Sequence, residues 1–178
     1  MIDLLNFVNK ILAVGTIILQ IFVVLALVCL VLPYKKKKVD VFIVRNGIML
    51  SFAVAFIATA GSLFYSGYAG FVPCTLCWFQ RIFMYPLVIL LGLALIKKED
   101  KIIDYSLALS VVGFVISVYH NFIYFQGLHS VVCTSAESCA TPYVTEFGYI
   151  TIPVMAMTAF AMIILILSIK RWKKTLEN

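Results

Sequence analysis

Four of the five cysteines in this chain fall in two pairs, Cys74-Thr75-Leu76-Cys77 and Cys133…Cys139, each beside one end of a membrane-length apolar run. The fifth, Cys29, lies inside another such run, so position separates an even set of four from an odd residue. Two sulfur pairs sharing one side of a membrane point to a thiol–disulfide relay, because a disulfide moves when a thiolate attacks sulfur. Pro73 can end the preceding turn, and a helix starting near Cys74 would aim its unsatisfied N–H groups at the sulfurs. Those groups and the helix dipole favour a thiolate. Cys77 and Arg81 stand four apart, on one helical face. The guanidinium then either supports a Cys77 thiolate, or an oxyanion on a neighbouring acceptor, or simply reaches for headgroups, and spacing does not choose among these. The C-x-x-C also reads as a structural disulfide or half of a zinc site. The second pair has five intervening residues where structural zinc sites use about two to four. Redox chemistry is therefore preferred and no metal-ligand set is expected, although Cys133 and Cys139 alone would also suit a static loop staple. His120 and Asn121, polar residues in an apolar run, invite a functional reading. At a shallow depth near water the structural reading, in which they satisfy each other and the backbone, is preferred for His120. His129 has no visible partner.

These residues need elements to hold them, and composition says which. With 63% hydrophobic and 12% charged residues in 178, the chain cannot be an ordinary soluble domain. Five stretches approach or exceed the ~20 residues that cross a hydrocarbon core: roughly Ile11 to Leu32, Gly47 to Tyr65, Trp78 to Ile96, Ile102 to Phe125 and Gly148 to Ile169. They lack the alternation of barrel strands, and lipid satisfies no backbone group, so they predict helices. The expected fold is all-α and integral to the membrane: a four-helix transmembrane bundle with one extra N-terminal transmembrane helix. The first run is read as retained, not as a signal peptide, since its lysines follow the apolar stretch and no small-residue cleavage site precedes them.

The net charge of +6 sits at helix ends, which excludes a nucleic-acid stripe and points to membrane lipid. Lys35 to Lys38 with Arg45, then Lys97, Lys98 and Lys101, then Lys170, Arg171, Lys173 and Lys174 share one side if five helices alternate. Only Lys10 and Arg81 remain for the other. The positive-inside rule then sets the N-terminus outside and the C-terminus in the cytoplasm. The turn from Ser66 to Pro73 and the loop from Gln126 to Phe147, which carries Glu137, Pro142 and Glu146, both fall outside. All four paired cysteines thus face a compartment where disulfides persist, while Cys29 lies toward the cytoplasmic end of its helix. The chain divides into residues 1–40 (extra helix and basic loop), 41–172 (redox bundle) and 173–178 (tail).

The stretch Cys74-Thr75-Leu76-Cys77-Trp78-Phe79-Gln80-Arg81, the later outer-loop pair and Tyr149-Ile150-Thr151-Ile152-Pro153 together resemble the DsbB family of disulfide-forming membrane oxidoreductases. The short Gram-positive variants of BdbC type look closest, and the likeness covers about residues 42 to 170. The resemblance implies an electron path from a DsbA-like, thioredoxin-fold thiol oxidase through the loop pair to the C-x-x-C pair. From there it runs into a membrane quinone, ubiquinone or menaquinone, in a bacterial plasma membrane. It gives Cys133 and Cys139 the partner-facing role, with Cys133 attacking and Cys139 passing the exchange to Cys74. Cys77 becomes the thiolate next to the quinone, with Arg81 as supporting cation and His120 as a further quinone-side candidate. Trp78, Phe79, Phe83 and Met84 could help line an apolar slot there, although individually each reads first as an ordinary lipid-facing or core residue, and Trp78 equally as an interfacial anchor. The chain departs from the family in its closely spaced loop pair and in residues Met1 to Lys38, which have no counterpart.

Two other functions fit some of the same residues. A membrane thiol reductase carrying electrons outward would resemble vitamin K epoxide reductase, which places its loop pair earlier, or the CcdA type, which buries its cysteines within two helices. A non-enzymatic scaffold would hold inert disulfides or zinc. Quinone type, partner identity and oligomeric state are not written in the sequence.

Overall fold

The computed structural model describes residues 2–31, 37–127, 133, 139 and 143–177. Lys35, Lys36, His129, Glu137 and Pro142, and the side chain of Cys29, lie outside the described residues. Five helices follow one another: α1 (Ile2–Val31), α2 (Lys37–Leu63), α3 (Thr75–Lys97), α4 (Ile102–Gln126) and α5 (Ile152–Glu177). All five are long and apolar enough to cross a membrane. The described β structure is one isolated bridge, Glu146 to Ile150, with both N–H···O bonds at 2.9 Å. Phe147 and Gly148, both at positive φ, make that tight turn possible and deliver the chain to Pro153 in the first turn of α5. Proline is tolerated there because its missing N–H would have no helical acceptor.

Helices α2, α3, α4 and α5 form a ring in which α2 touches α3 and α5, and α4 touches α3 and α5. Leu87, Leu91, Phe160, Ile163 and Leu167 fill its centre without solvent exposure. Burial from lipid brings little hydrophobic gain, so such helices hold together by close packing over small residues. Ser106, Ser110, Gly113 and Ser117 make that face on α4, and all four are buried. Ser110 and Ser117 turn their hydroxyls back to helix carbonyls, Ser110 to Ser106 at 2.7 Å and Ser117 to Phe114 at 2.8 Å. Gly113 admits the Phe160 ring, which would lie 2.4 Å from a Cβ at that position. Ile89, Val115, Phe122 and Trp172 are among the large apolar side chains exposed on the outside, as lipid contact requires.

At one end of the bundle the basic helix termini converge. Lys170 Nζ donates to the Val44 carbonyl at 2.8 Å and lies 3.7 Å from Asp100, and Arg171 pairs with Asp104 at 3.0 Å. The end of α5, the start of α2 and the α3–α4 turn therefore meet, as the alternating arrangement of charges demands.

The first helix begins at Ile2, well before the expected Ile11. Its 30 residues span about 45 Å at ~1.5 Å per residue, longer than the ~30 Å hydrocarbon core. The polar Asp3, Asn6, Asn9 and Lys10 occupy the excess, which explains why an apolar count started later. Asn9, Ala13 and Thr16 are buried against the bundle. Leu12 packs over Gly61 of α2, and Gln20 donates to Thr158 of α5 at 3.2 Å and accepts from Tyr149 at 2.9 Å.

Candidate functional site: two sulfur pairs around a buried histidine

Cys74 is the N-cap of α3, in extended conformation after Pro73, and its sulfur accepts from the Cys77 amide at 3.4 Å. This is the capping arrangement in which sulfur replaces the usual hydroxyl or carboxylate oxygen. One turn on, the Cys77 sulfur returns to within 2.9 Å of Cys74 Sγ, both as free thiols. The second pair is a disulfide, Cys133–Cys139, with Cα atoms 6.0 Å apart. Cys74, Leu76, Ile123 and Cys139 are buried as one cluster against which Cys77, Ile116 and Cys133 pack. The four cysteines singled out by position are thus brought to one place.

His120 joins the two pairs. Its Nε2 lies 3.7 Å from Cys74 Sγ and 3.2 Å from the Cys139 carbonyl, and its Nδ1 lies 3.0 Å from the Gln80 amide nitrogen. A carbonyl can only accept, so Nε2 carries the proton, and Nδ1 accepts from Gln80. The imidazole is oriented from behind and presents a donor to both Cys74 and the backbone of the disulfide loop. His120 and Asn121 do not satisfy each other: Asn121 donates to Ser117 at 2.8 Å and faces Met157.

Electrostatically the donors converge on Cys74. Its thiol is held down at about 4 by the hydrogen bond from Cys77, with His120 and the Cys77 amide adding to it, against burial, which pushes it up. Arg81 takes a different partner. Its Nε donates to Ser62 Oγ at 2.9 Å and its Nη2 to the Ser62 carbonyl at 3.1 Å, while the guanidinium lies 5.2 Å from the Trp78 ring centroid. The Ser62 carbonyl is accessible because α2 ends in a π-helical turn, Phe64–Tyr68, where the ladder shifts to Ala69 N–H on the Phe64 carbonyl. Ser66 Oγ uses the same Ser62 carbonyl at 3.1 Å, and Tyr85 reaches Ser62 Oγ at 3.2 Å.

Gln80 and Ser62 were not singled out in the sequence. Gln80 had a visible signal, a polar amide three residues past Cys77 in an apolar run, and the structure buries it. Ser62 had none, because its role follows from a turn geometry that hydropathy does not encode.

Cys74, Cys77 and His120 also present three metal-capable atoms within 4.8 Å of one another. Two thiolates on tetrahedral zinc, with Zn–S near 2.3 Å, stand about 3.7 Å apart. The two sulfurs here stand 2.9 Å apart, closer than that pair and farther than the ~2.05 Å of a disulfide bond.

Comparison with known proteins supplies the family. Residues 44–169 match the family described as Disulfide bond formation protein DsbB. A probable disulfide formation protein of Oceanobacillus iheyensis is 43% identical over 122 residues, covering 67% of this chain and 84% of that one. Disulfide bond formation protein C of Bacillus subtilis is 39% identical over 129 residues, 70% of this chain and 92% of that one. The SPbeta prophage-derived disulfide bond formation protein B of the same organism is 43% identical over 121 residues, 67% and 82% of the two chains. No solved structure matches. With the matched segment spanning α2 to α5 and both sulfur pairs, this multi-pass membrane protein belongs to the DsbB family of disulfide bond formation proteins and is a thiol–disulfide oxidoreductase.

Proposed function

We propose that the protein reoxidises an extracytoplasmic, thioredoxin-fold thiol partner and passes the electrons to a membrane quinone. The observation that carries this reading is the meeting of the loop pair and the C-x-x-C pair at His120. Two exchanges would connect them. In the first, a partner thiolate attacks Cys133, Cys139 leaves as thiolate, and the partner's second thiol closes the partner disulfide and releases Cys133. In the second, Cys139 attacks Cys74 of the Cys74–Cys77 disulfide and Cys77 leaves. Cys133 then closes on Cys139, releasing Cys74. Each step breaks one S–S bond and makes one. Cys74 departs into the donors of His120 and the Cys77 amide, which makes it a good leaving group.

The residues present fit a quinone. The Tyr65 hydroxyl and Thr151 Oγ1 are buried without a hydrogen-bond partner among the described residues, and both line a cavity shared with Cys77 and Arg81. Tyr65, Thr151 and Arg81 would hold the carbonyls of the ring, with Cys77 as the neighbouring sulfur. A bound quinone supplies an acceptor for two electrons and two protons, and the Cys74–Cys77 disulfide is restored as they leave. The convergence of basic termini at the far end of the bundle supports an outward-facing site with N-terminus outside, C-terminus cytoplasmic and residues 41–172 as the redox domain.

The test uses purified protein, a reduced thioredoxin-like partner and a soluble quinone analogue, following quinone absorbance. Stoichiometric quinone consumption lost in Cys77→Ser is expected; no consumption by the wild type would remove the reading. Bound zinc at one equivalent in the reduced protein as isolated would favour a scaffold instead.

A further inference from the structure

Cys139 must meet Cys74 for the second exchange, so whatever limits the travel of Cys139 sets how often they meet. The residues that follow it form a fixed root. Tyr143 stacks on Phe71 of the α2–α3 turn with ring centroids 4.8 Å apart, and Phe71 stacks in turn on Tyr65 at 5.7 Å. Val144 is buried. Thr145 Oγ1 lies 3.4 Å from the Tyr124 hydroxyl of α4, Glu146 and Ile150 close the bridge, and Tyr149 donates to Gln20 of α1 at 2.9 Å. Three separate parts of the fold therefore grip residues 143–150. Cys139 stands four residues before Tyr143, which keeps its Cα within about 14 Å of the root. Inside that radius it is buried, with its carbonyl 3.2 Å from His120 Nε2.

We propose that Tyr143 and Val144 are positioning residues for the internal exchange: they pin the root of the cysteine loop, and the short tether keeps Cys139 concentrated at Cys74. The proposal rests on the two-exchange reading above. In the step they serve, the loop dithiol closes to a disulfide as the Cys74–Cys77 disulfide opens to two thiols, so the electrons balance within the chain. That step is intramolecular, and its rate follows an effective concentration that falls as about the 3/2 power of tether length or more steeply. Reduction of the loop by a partner is bimolecular and does not use the tether. Tyr143→Ala/Val144→Ser moves the next fixed point to the bridge at Glu146, seven residues from Cys139. Tyr143 is a cleaner site to change than Phe71, which also touches Tyr65.

The experiment uses the full-length protein in detergent, free of quinone and with both pairs oxidised. It is mixed with one equivalent of reduced thioredoxin, quenched in acid at increasing times and alkylated, and mass spectrometry counts the reduced sulfurs of each pair. Transfer from the loop pair to the C-x-x-C pair should slow about two- to fivefold in Tyr143→Ala/Val144→Ser. Inserting six glycines between Ala140 and Thr141 leaves every anchor in place and lengthens the tether to ten residues, so transfer should slow about four- to fifteenfold. Tyr143→Phe/Val144→Ile keeps the ring and the buried side chain and should transfer at the wild-type rate. Reduction of the loop by thioredoxin should be unchanged throughout. An insertion variant that transfers as fast as the wild type overturns the proposal, and so does a loss of loop reduction that matches the loss of transfer. A wild-type loop that is reduced but passes no electrons to the C-x-x-C pair overturns the two-exchange reading instead.

Discussion

At the scale of the residue, the site is a division of labour between two sulfurs three positions apart. Cys74 occupies a helix cap and faces an imidazole, whereas Cys77 lies one turn along; both border the cavity. An ordinary cysteine thiol ionises near 8.5. Cys74 in the reduced protein should remain a thiolate down to about pH 4, so its ultraviolet thiolate absorbance is lost only as pH falls through that value. His120→Ala removes a donor to the anion and should move this midpoint upward, toward the ordinary thiol range. A midpoint that stays put would assign the stabilisation to the Cys77 side alone. Arg81 acts through a different residue. Because both of its hydrogen bonds go to Ser62, Arg81→Ala should raise the quinone KM by about ten- to a hundredfold while leaving partner–loop exchange unchanged. Ser62→Ala, which removes one of the two acceptors, should give a smaller shift in the same direction. Steady-state kinetics with separate variation of partner and quinone distinguishes them.

At the scale of the element, the five helices were legible and several of their ends were not: α1 begins at Ile2 and α2 at Lys37, and α5 runs on to Glu177. Five apolar runs gave five helices because in lipid a backbone can satisfy itself only that way. The start of α1 escaped because Asp3, Asn6, Asn9 and Lys10 break the apolar count without breaking the helix. The C-x-x-C at the head of α3 and its meeting with the loop pair followed from position, since two segments at one membrane face have little room to avoid each other. The surroundings of His120 were not legible in the sequence, because spacing along α4 does not say which neighbour a side chain faces. Packing places it between Cys74 and the Cys139 carbonyl. The α4–α5 contact makes a prediction of the same kind: Gly113→Ala places a methyl inside the Phe160 ring and should destabilise the bundle by about 1–3 kcal/mol, read as earlier thermal unfolding in detergent. Gly113→Ala combined with Phe160→Leu should recover part of that loss, because the clash is with the ring.

At the scale of the whole molecule, sidedness links the parts. If the sulfur end faces outward, an impermeant maleimide applied to intact, reduced cells should label Cys74, Cys77, Cys133 and Cys139, with protection until lysis as the opposing result. The opposite end of the bundle, by contrast, is fastened by Lys170 to Val44 and Asp100, so the helices are tied where no sulfur exchange occurs. The π-helical turn at Phe64–Tyr68 has a further consequence, one of length. Such a turn holds one residue more than the α-turn it replaces, so a homologue that keeps α geometry should align here with a single-residue gap inside a membrane span. Excising one residue from this chain at that point should rotate everything upstream by about 100° relative to the outer turn, carrying Ser62 away from its guanidinium.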